Sequence, residues 1–148
     1  VVLLKSLKIE SSKIRLAIND DKNKIIEFDP NDVKFINRYY SMISNFEVKQ
    51  KEFAEKAAKI DKITTYNSIG MKVSDIEGSK LMLEMCEYMK GQIDYVFGNG
   101  ASEKAFGDTI NPEMINEFLG GVAEYIAAER NAKIEKYTGK NTKSVAKK

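Results

Sequence analysis

The chain has 148 residues, of which 43% are hydrophobic and 31% charged, with a formal net charge of +2, no histidine and one cysteine. Such a length suits one domain with its own core, and such a composition excludes both a disordered and a membrane-spanning chain. Without histidine, Ser-His-Asp and Cys-His catalysis fall away, and with a single cysteine so do the usual zinc sites.

No apolar run approaches the roughly 20 residues that cross a bilayer. The opening Val1-Val2-Leu3-Leu4 is too short for the apolar part of a secretory signal, and Lys5 and Lys8 follow at once. A cytoplasmic protein is expected, and Cys86, with no partner for a disulfide, fits a reducing compartment. Charge is uneven: from Arg130 to Lys148 seven basic residues stand against Glu135 alone, +6 in all, which leaves the preceding 129 residues at −4. The plain reading of 138–148 is a disordered, solvated lysine-rich tail. Nucleic-acid binding would call for interleaved aromatics and arginines, and only Tyr137 and Arg130 qualify.

In chain order, Leu7 and Ile9 suggest a short strand. Ile14, Leu16 and Ile18 then alternate with Lys13, Arg15 and Ala17, the pattern of a strand with one buried face. The turn-rich Asn19-Asp20-Asp21-Lys22-Asn23 and the apolar Ile25, Ile26 and Phe28 complete a β-hairpin over about 12–28. Asp21-Lys22-Asn23 has the start of a calcium loop, but Ile26 occupies the position that needs glycine.

Asp29-Pro30 predicts a helix over about 30–62, with Asp29 as cap, Pro30 in the first turn and Asp32 favouring the positive end of the dipole. Its seam is Ile36, Tyr39, Ile43, Phe46, Phe53, Ala57 and Ile60, interrupted at Gln50. Phe35, Tyr40, Met42 and Val48 fall off that seam and are candidates for contact with a partner. The segment from Thr64 to Val73, with Gly70, reverses the chain, and a capping box at Ser74 and Glu77 opens a second helix over about 75–97. Met82, Cys86, Met89, Ile93 and Val96 line one of its faces, and Leu81, Met85 and Tyr88 a neighbouring one, so it should be the more central. The two helices are expected to pair antiparallel, with Ile43 opposite Ile93, Phe46 opposite Met89 or Lys90, Gln50 opposite Cys86 and Ala57 opposite Ser79. A short helix over 102–106 and a last one over 112–137 follow, the latter opened by Asn111-Pro112-Glu113 and holding its apolar face in Ile115, Phe118, Leu119, Val122 and Ile126. Its second half is expected to project, and Gly120-Gly121 to mark a bend or a close crossing. The fold class is therefore α+β, predominantly helical, in one domain over 1–137. Acids such as Glu84 and Glu87 read as the solvated side of a helix; no catalytic residue, metal or cofactor is expected.

The stretch with the most particular residue choice is Tyr95-Val96-Phe97-Gly98-Asn99-Gly100-Ala101-Ser102-Glu103-Lys104-Ala105-Phe106-Gly107-Asp108. Gly98 should end a helix in the left-handed conformation, Gly100 release the chain, Ser102 start a new turn and Gly107 stop it, while Phe97 and Phe106 fold under the loop or face a partner. It carries no dinucleotide fingerprint, since Glu103 stands at the third glycine position, and no phosphate loop. Together with Ile25-Ile26-Glu27-Phe28-Asp29-Pro30-Asn31-Asp32 ahead of a long helix, this stretch resembles tail assembly chaperones of phages and prophages of Gram-positive bacteria, over about Ser12 to Tyr137. That resemblance implies a non-enzymatic protein of the bacterial host cytoplasm. It would coat the helical tape-measure protein and help recruit tail-tube protein, without entering the finished virion. Self-association into a homo-oligomer fits as well, because the long seam can be shared between copies. The rival expectations are a structural tail or connector component and, third, a helical nucleic-acid-binding protein.

Overall fold

A computed structural model of the chain describes residues 1–138; the expected tail lies almost wholly outside them. The elements are β1 (Ile14–Ala17), β2 (Ile25–Phe28), α1 (Val33–Asp61), α2 (Val73–Phe97), α3 (Ala101–Phe106) and α4 (Pro112–Thr138), an α+β, predominantly helical architecture. β1 and β2 pair antiparallel, Ile14 against Phe28 and Ala17 against Ile25. Ile14 and Leu16 turn toward the core, whereas Lys13 and Arg15 turn out and each lies 3.3 Å from the Glu27 carboxylate. The first strand stops at Ala17, one residue short of the alternating pattern. There the Asp21 amide donates to the Ile18 carbonyl, closing a single 3-10 turn in which Asn19 and Asp20 take positive φ. The short strand expected at Leu7 and Ile9 is not formed, and residues 1–10 run exposed without pairing.

The start of α1 corrects the expected cap. Asp32, not Asp29, is the N-cap, its side chain accepting from the Lys34 amide at 2.9 Å. Asp29 instead folds the preceding turn, accepting from the Asn31 amide at 2.9 Å and the Ser12 hydroxyl at 2.7 Å, and Pro30 is buried in that turn. The same dipeptide logic does hold at α4, where the Asn111 side chain accepts from the Glu113 amide and Pro112 is the first helical residue. Ser12 is the difference: its hydroxyl ties Asp29 to the hairpin, so the helix begins one turn later.

α1 and α2 pair antiparallel, shown by Phe35 against Phe97, the Arg38 guanidinium over the Tyr95 ring, Phe53 against Tyr88, and Lys56 bonded to Glu84. These contacts lie within a few residues of the expected register, and Ile36, Tyr39, Phe46, Phe53, Ala57 and Ile60 of the expected seam are buried or half-buried, but the seam is rotated toward Phe35 and Met42 and leaves out Ile43 and Gln50. Phe35, Tyr39, Met42, Phe46, Lys49, Phe53, Lys56 and Ile60 are buried or half-buried, an unbroken repeat of four and three. Ile43 and Gln50 are exposed, so Gln50 does not face Cys86. The physical reason is the lysine side chain. The Lys49 ammonium lies 5.4 Å from the Tyr88 ring centre and 5.9 Å from that of Phe53, its stem covering apolar surface while its charge reaches the Glu52 carboxylate at 3.2 Å. α2 starts at Val73 rather than 75, with Lys72 as N-cap and no side-chain bond there. The Val73 amide donates to the Thr65 carbonyl, leaving Ser74 inside the helix and the expected capping box unformed.

Ring packing joins the elements of the core. Phe28 stacks on Phe35 at 5.3 Å, Phe97 meets both edge-on at 5.4 Å, and Phe118 of α4 meets Phe97 at 5.3 Å and Phe106 of α3 at 5.7 Å. The corner between α2 and α3 makes this possible. Gly98 adopts φ 106°, ψ 155°, a conformation essentially restricted to glycine. Gly100, at φ 84°, ψ 0°, is the left-handed residue that caps α3, which opens at Ala101. The left-handed position thus falls at Gly100 rather than Gly98, and Gly107 ends α3 as expected. The buried Ser102 is not the cap; its amide donates to the Asp94 side chain at 2.8 Å, pinning α3 back onto α2. A Cβ at Gly120 or Gly121 would meet nothing within 4 Å, so no close crossing accounts for that pair.

Candidate interaction surface

The long helices divide into two regions. In the head, α1 as far as Phe46 and α2 from Cys86 onward pack with the hairpin, α3 and α4 around one core that includes Ile26, Ile93, Val96 and Ile126. Beyond Phe46, and before Cys86, no residue of either helix joins that core, although Phe53 and Leu81 are buried between the two. This second region is a two-helix arm, roughly 20 Å long at 1.5 Å per residue.

The arm ends in a closed loop. The Asn67 side chain accepts from the amides of Ile69 at 3.0 Å and Met71 at 2.9 Å, the Asn67 amide donates to the Met71 carbonyl at 2.8 Å, and Gly70 supplies the positive φ of 83°. Tyr66, Ile69 and Met71 are held outward by this network, Ile69 being 77% exposed. Along the shaft Val48 is 69% exposed, and Met82 and Leu83 are 47% exposed. Met82 continues the face that buries Cys86, Met89, Ile93 and Val96; it is open because the third layer of the head stops short of it.

The expected partner-contact residues separate accordingly. Phe35, Met42, Phe97 and Phe106 are core residues, a correction that follows from the rotated seam for the first two and from the α2–α3 corner for the others. Tyr40 and Val48 are exposed, and Tyr40 meets Tyr39 edge-on. Ile69, Met71, Met82 and Leu83 were not among the candidates. The signal that locates them is three-dimensional, since Met82 reads as core by spacing alone.

The arm's charged groups pair with one another, Lys49 with Glu52 and Lys56 with Glu52 and Glu84. The Lys56 ammonium bridges Glu84 at 3.1 Å and Glu52 at 3.6 Å, and its pKa is raised, first by the bond to Glu84. The Glu52 carboxyl is held below its ordinary range, first by hydrogen bonding from Lys49. Burial pushes the Cys86 thiol and the Tyr39 phenol upward, the latter helped by Tyr40. An open cleft of about 560 Å³ beside the α2–α3 corner is lined by Glu87, Asp94, Glu103 and Asp108 with Lys90 among them. Asp94 there is committed to Ser102, and among the described residues no three His, Cys, Asp or Glu side chains are grouped to hold a metal. Among the same residues no helix is long and apolar enough to cross a membrane.

Fold and surface together define a small helical protein with a compact head and a projecting two-helix arm. Residues 22–148 match the family of unknown function DUF6673, and the chain belongs to that family. No curated protein and no solved structure matches it.

Proposed function

We propose that this protein is a non-enzymatic tail assembly chaperone of a phage or prophage, acting in the cytoplasm of the bacterial host by binding the tape-measure protein and assisting recruitment of tail-tube protein. The observation that carries the reading is the arm, a projecting helical strut with Val48, Met82 and Leu83 along its shaft and Tyr66, Ile69 and Met71 at its tip. Apolar side chains spaced along a helical strut suit a long amphipathic helix, whose own stripe needs cover until assembly. The resemblance of the Val96–Asp108 corner and of the Ile25–Asp32 stretch to such chaperones supports the same reading.

Co-expression with the tape-measure protein of the same gene cluster tests it. The two should co-purify, the tape-measure protein should become soluble, and Val48→Glu combined with Met82→Glu should abolish both effects. Mass spectrometry of purified virions should find the chaperone missing. If the pair never co-purifies and tape-measure solubility is unchanged, the reading fails.

A further inference from the structure

We infer that residues 1–10 of one copy of this chain add as a third strand to the free edge of β1 in a second copy. The segment Val1-Val2-Leu3-Leu4-Lys5-Ser6-Leu7-Lys8-Ile9-Glu10 holds six large aliphatic side chains, each 77% exposed or more, and makes no hydrogen bond with any other described residue. Among the described residues the sheet has two strands, and their outer edges differ. The Ile18 amide donates to the Lys24 carbonyl, which sets the phase of the ladder: Ile14 and Leu16 exchange bonds with β2, whereas Arg15 and Ala17 turn amide and carbonyl to the outer edge of β1. On the other edge the Ile25 carbonyl accepts from the Lys104 ammonium of α3 at 3.4 Å, so β2 is guarded and β1 is not. Beside β1 lies a groove of about 320 Å³, lined by Leu16 and Ile18 on the hairpin side, by Phe106, and by Phe118, Val122 and Tyr125 of α4.

Charge selects the register. An antiparallel strand with Glu10 opposite Arg15 sets Lys8 opposite Ala17 and brings Ile9 and Leu7 beside Leu16 and Ile18, on the groove side. Folding back within one chain would reach the same register only through a two-residue turn at Ser12-Lys13. Such a turn needs positive φ, which among the described non-glycine residues only Asn19 and Asp20 take, and Ser12 is tied to Asp29 at 2.7 Å while Lys13 lies 3.3 Å from Glu27. A second copy is therefore the occupant: one chain carries both the unpaired apolar strand and the unpaired edge. Reciprocal exchange closes a dimer, and one-way donation extends a chain of copies.

Sedimentation equilibrium of the 148-residue chain, with two variants, tests the inference. Leu7→Asp with Ile9→Asp alters only the exposed segment. Ala17→Pro removes an outward amide at a residue whose φ of −84° suits proline, leaving the β1–β2 bonds in place. The unaltered chain should sediment at twice its 16.7 kDa or more. Each variant should return to the monomer mass with its circular dichroism unchanged. A monomer at every concentration overturns the inference, as does either variant that keeps the oligomer, or a monomer whose Ala17 amide is protected from hydrogen exchange by its own segment.

Discussion

Head and arm are made from the same two helices with the same four-and-three spacing, yet the head buries two faces of α2 and the arm only one. In the head, Ile93 is fully buried among side chains from several elements; in the arm, Phe53 is covered by Lys49, Lys56 and, at the boundary with the head, Tyr88. Periodicity thus says which side of a helix is apolar, while the number of layers stacked on it decides how much of that side leaves water. The arm is where this protein can both open locally and present apolar surface, because each of its residues has fewer neighbours to lose.

The largest effect should come from the head. Ile93→Ala should cost about 4 kcal/mol of global stability, because several elements close around the site and leave a cavity that cannot collapse; urea denaturation followed by circular dichroism reads it. Phe53→Ala should cost about 3 kcal/mol, with the loss confined to the arm. Hydrogen exchange should then quicken in residues 49–85 while the head amides keep their protection; equal loss in both regions would show that head and arm open as one unit.

Lys49→Leu should raise stability by about 1 kcal/mol by putting a fully apolar side chain at a seam position. In the same variant the Glu52 carboxyl should return toward its ordinary range, since hydrogen bonding from Lys49 is the first cause of its depression; an NMR titration of Glu52 follows it. Tyr39→Phe should change neutral-pH stability by less than about 0.5 kcal/mol. It should, however, flatten the alkaline limb. Burial raises the Tyr39 phenol, so at pH above about 10 the unfolded chain loses a proton that the folded one keeps, and stability falls as pH rises; below that range the term is absent. Urea midpoints across pH 9 to 11, roughly spanning the phenol range, measure the difference. The smallest effect on stability, within about 0.5 kcal/mol, is expected of Val48→Ser, an exposed site on the arm. A drop in tape-measure binding with the urea midpoint unchanged would separate the arm's surface from its packing.

Much of the fold was legible because helices announce themselves through local spacing and caps. The four helices, the hairpin and the antiparallel pairing were all readable, and Asn111-Pro112 marked its helix start correctly. What misled was local logic overruled from a distance. Asp29 was diverted by the Ser12 hydroxyl, Ser74 by the Thr65 carbonyl, and the seam ran through Phe35 and Met42 because Lys49 and Lys56 buried their stems where a pattern of apolar residues alone shows a gap. The candidate surface was the least legible part. Val48 and Tyr40 could be picked from the helix pattern, but Met82 is indistinguishable by spacing from Cys86 and Met89, and Ile69 and Met71 sit in a loop that carries no periodicity.

By itself the amino-acid order determined the class, the helices and the absence of histidine chemistry, because composition and the 3.6-residue repeat are properties of the chain before it folds. Tertiary structure decided which apolar residues became core and which became surface. That outcome depends on where the third layer ends: α3 and α4 cover α2 as far as Cys86 and leave Met82 open, and no local pattern records the position of a neighbour distant in sequence.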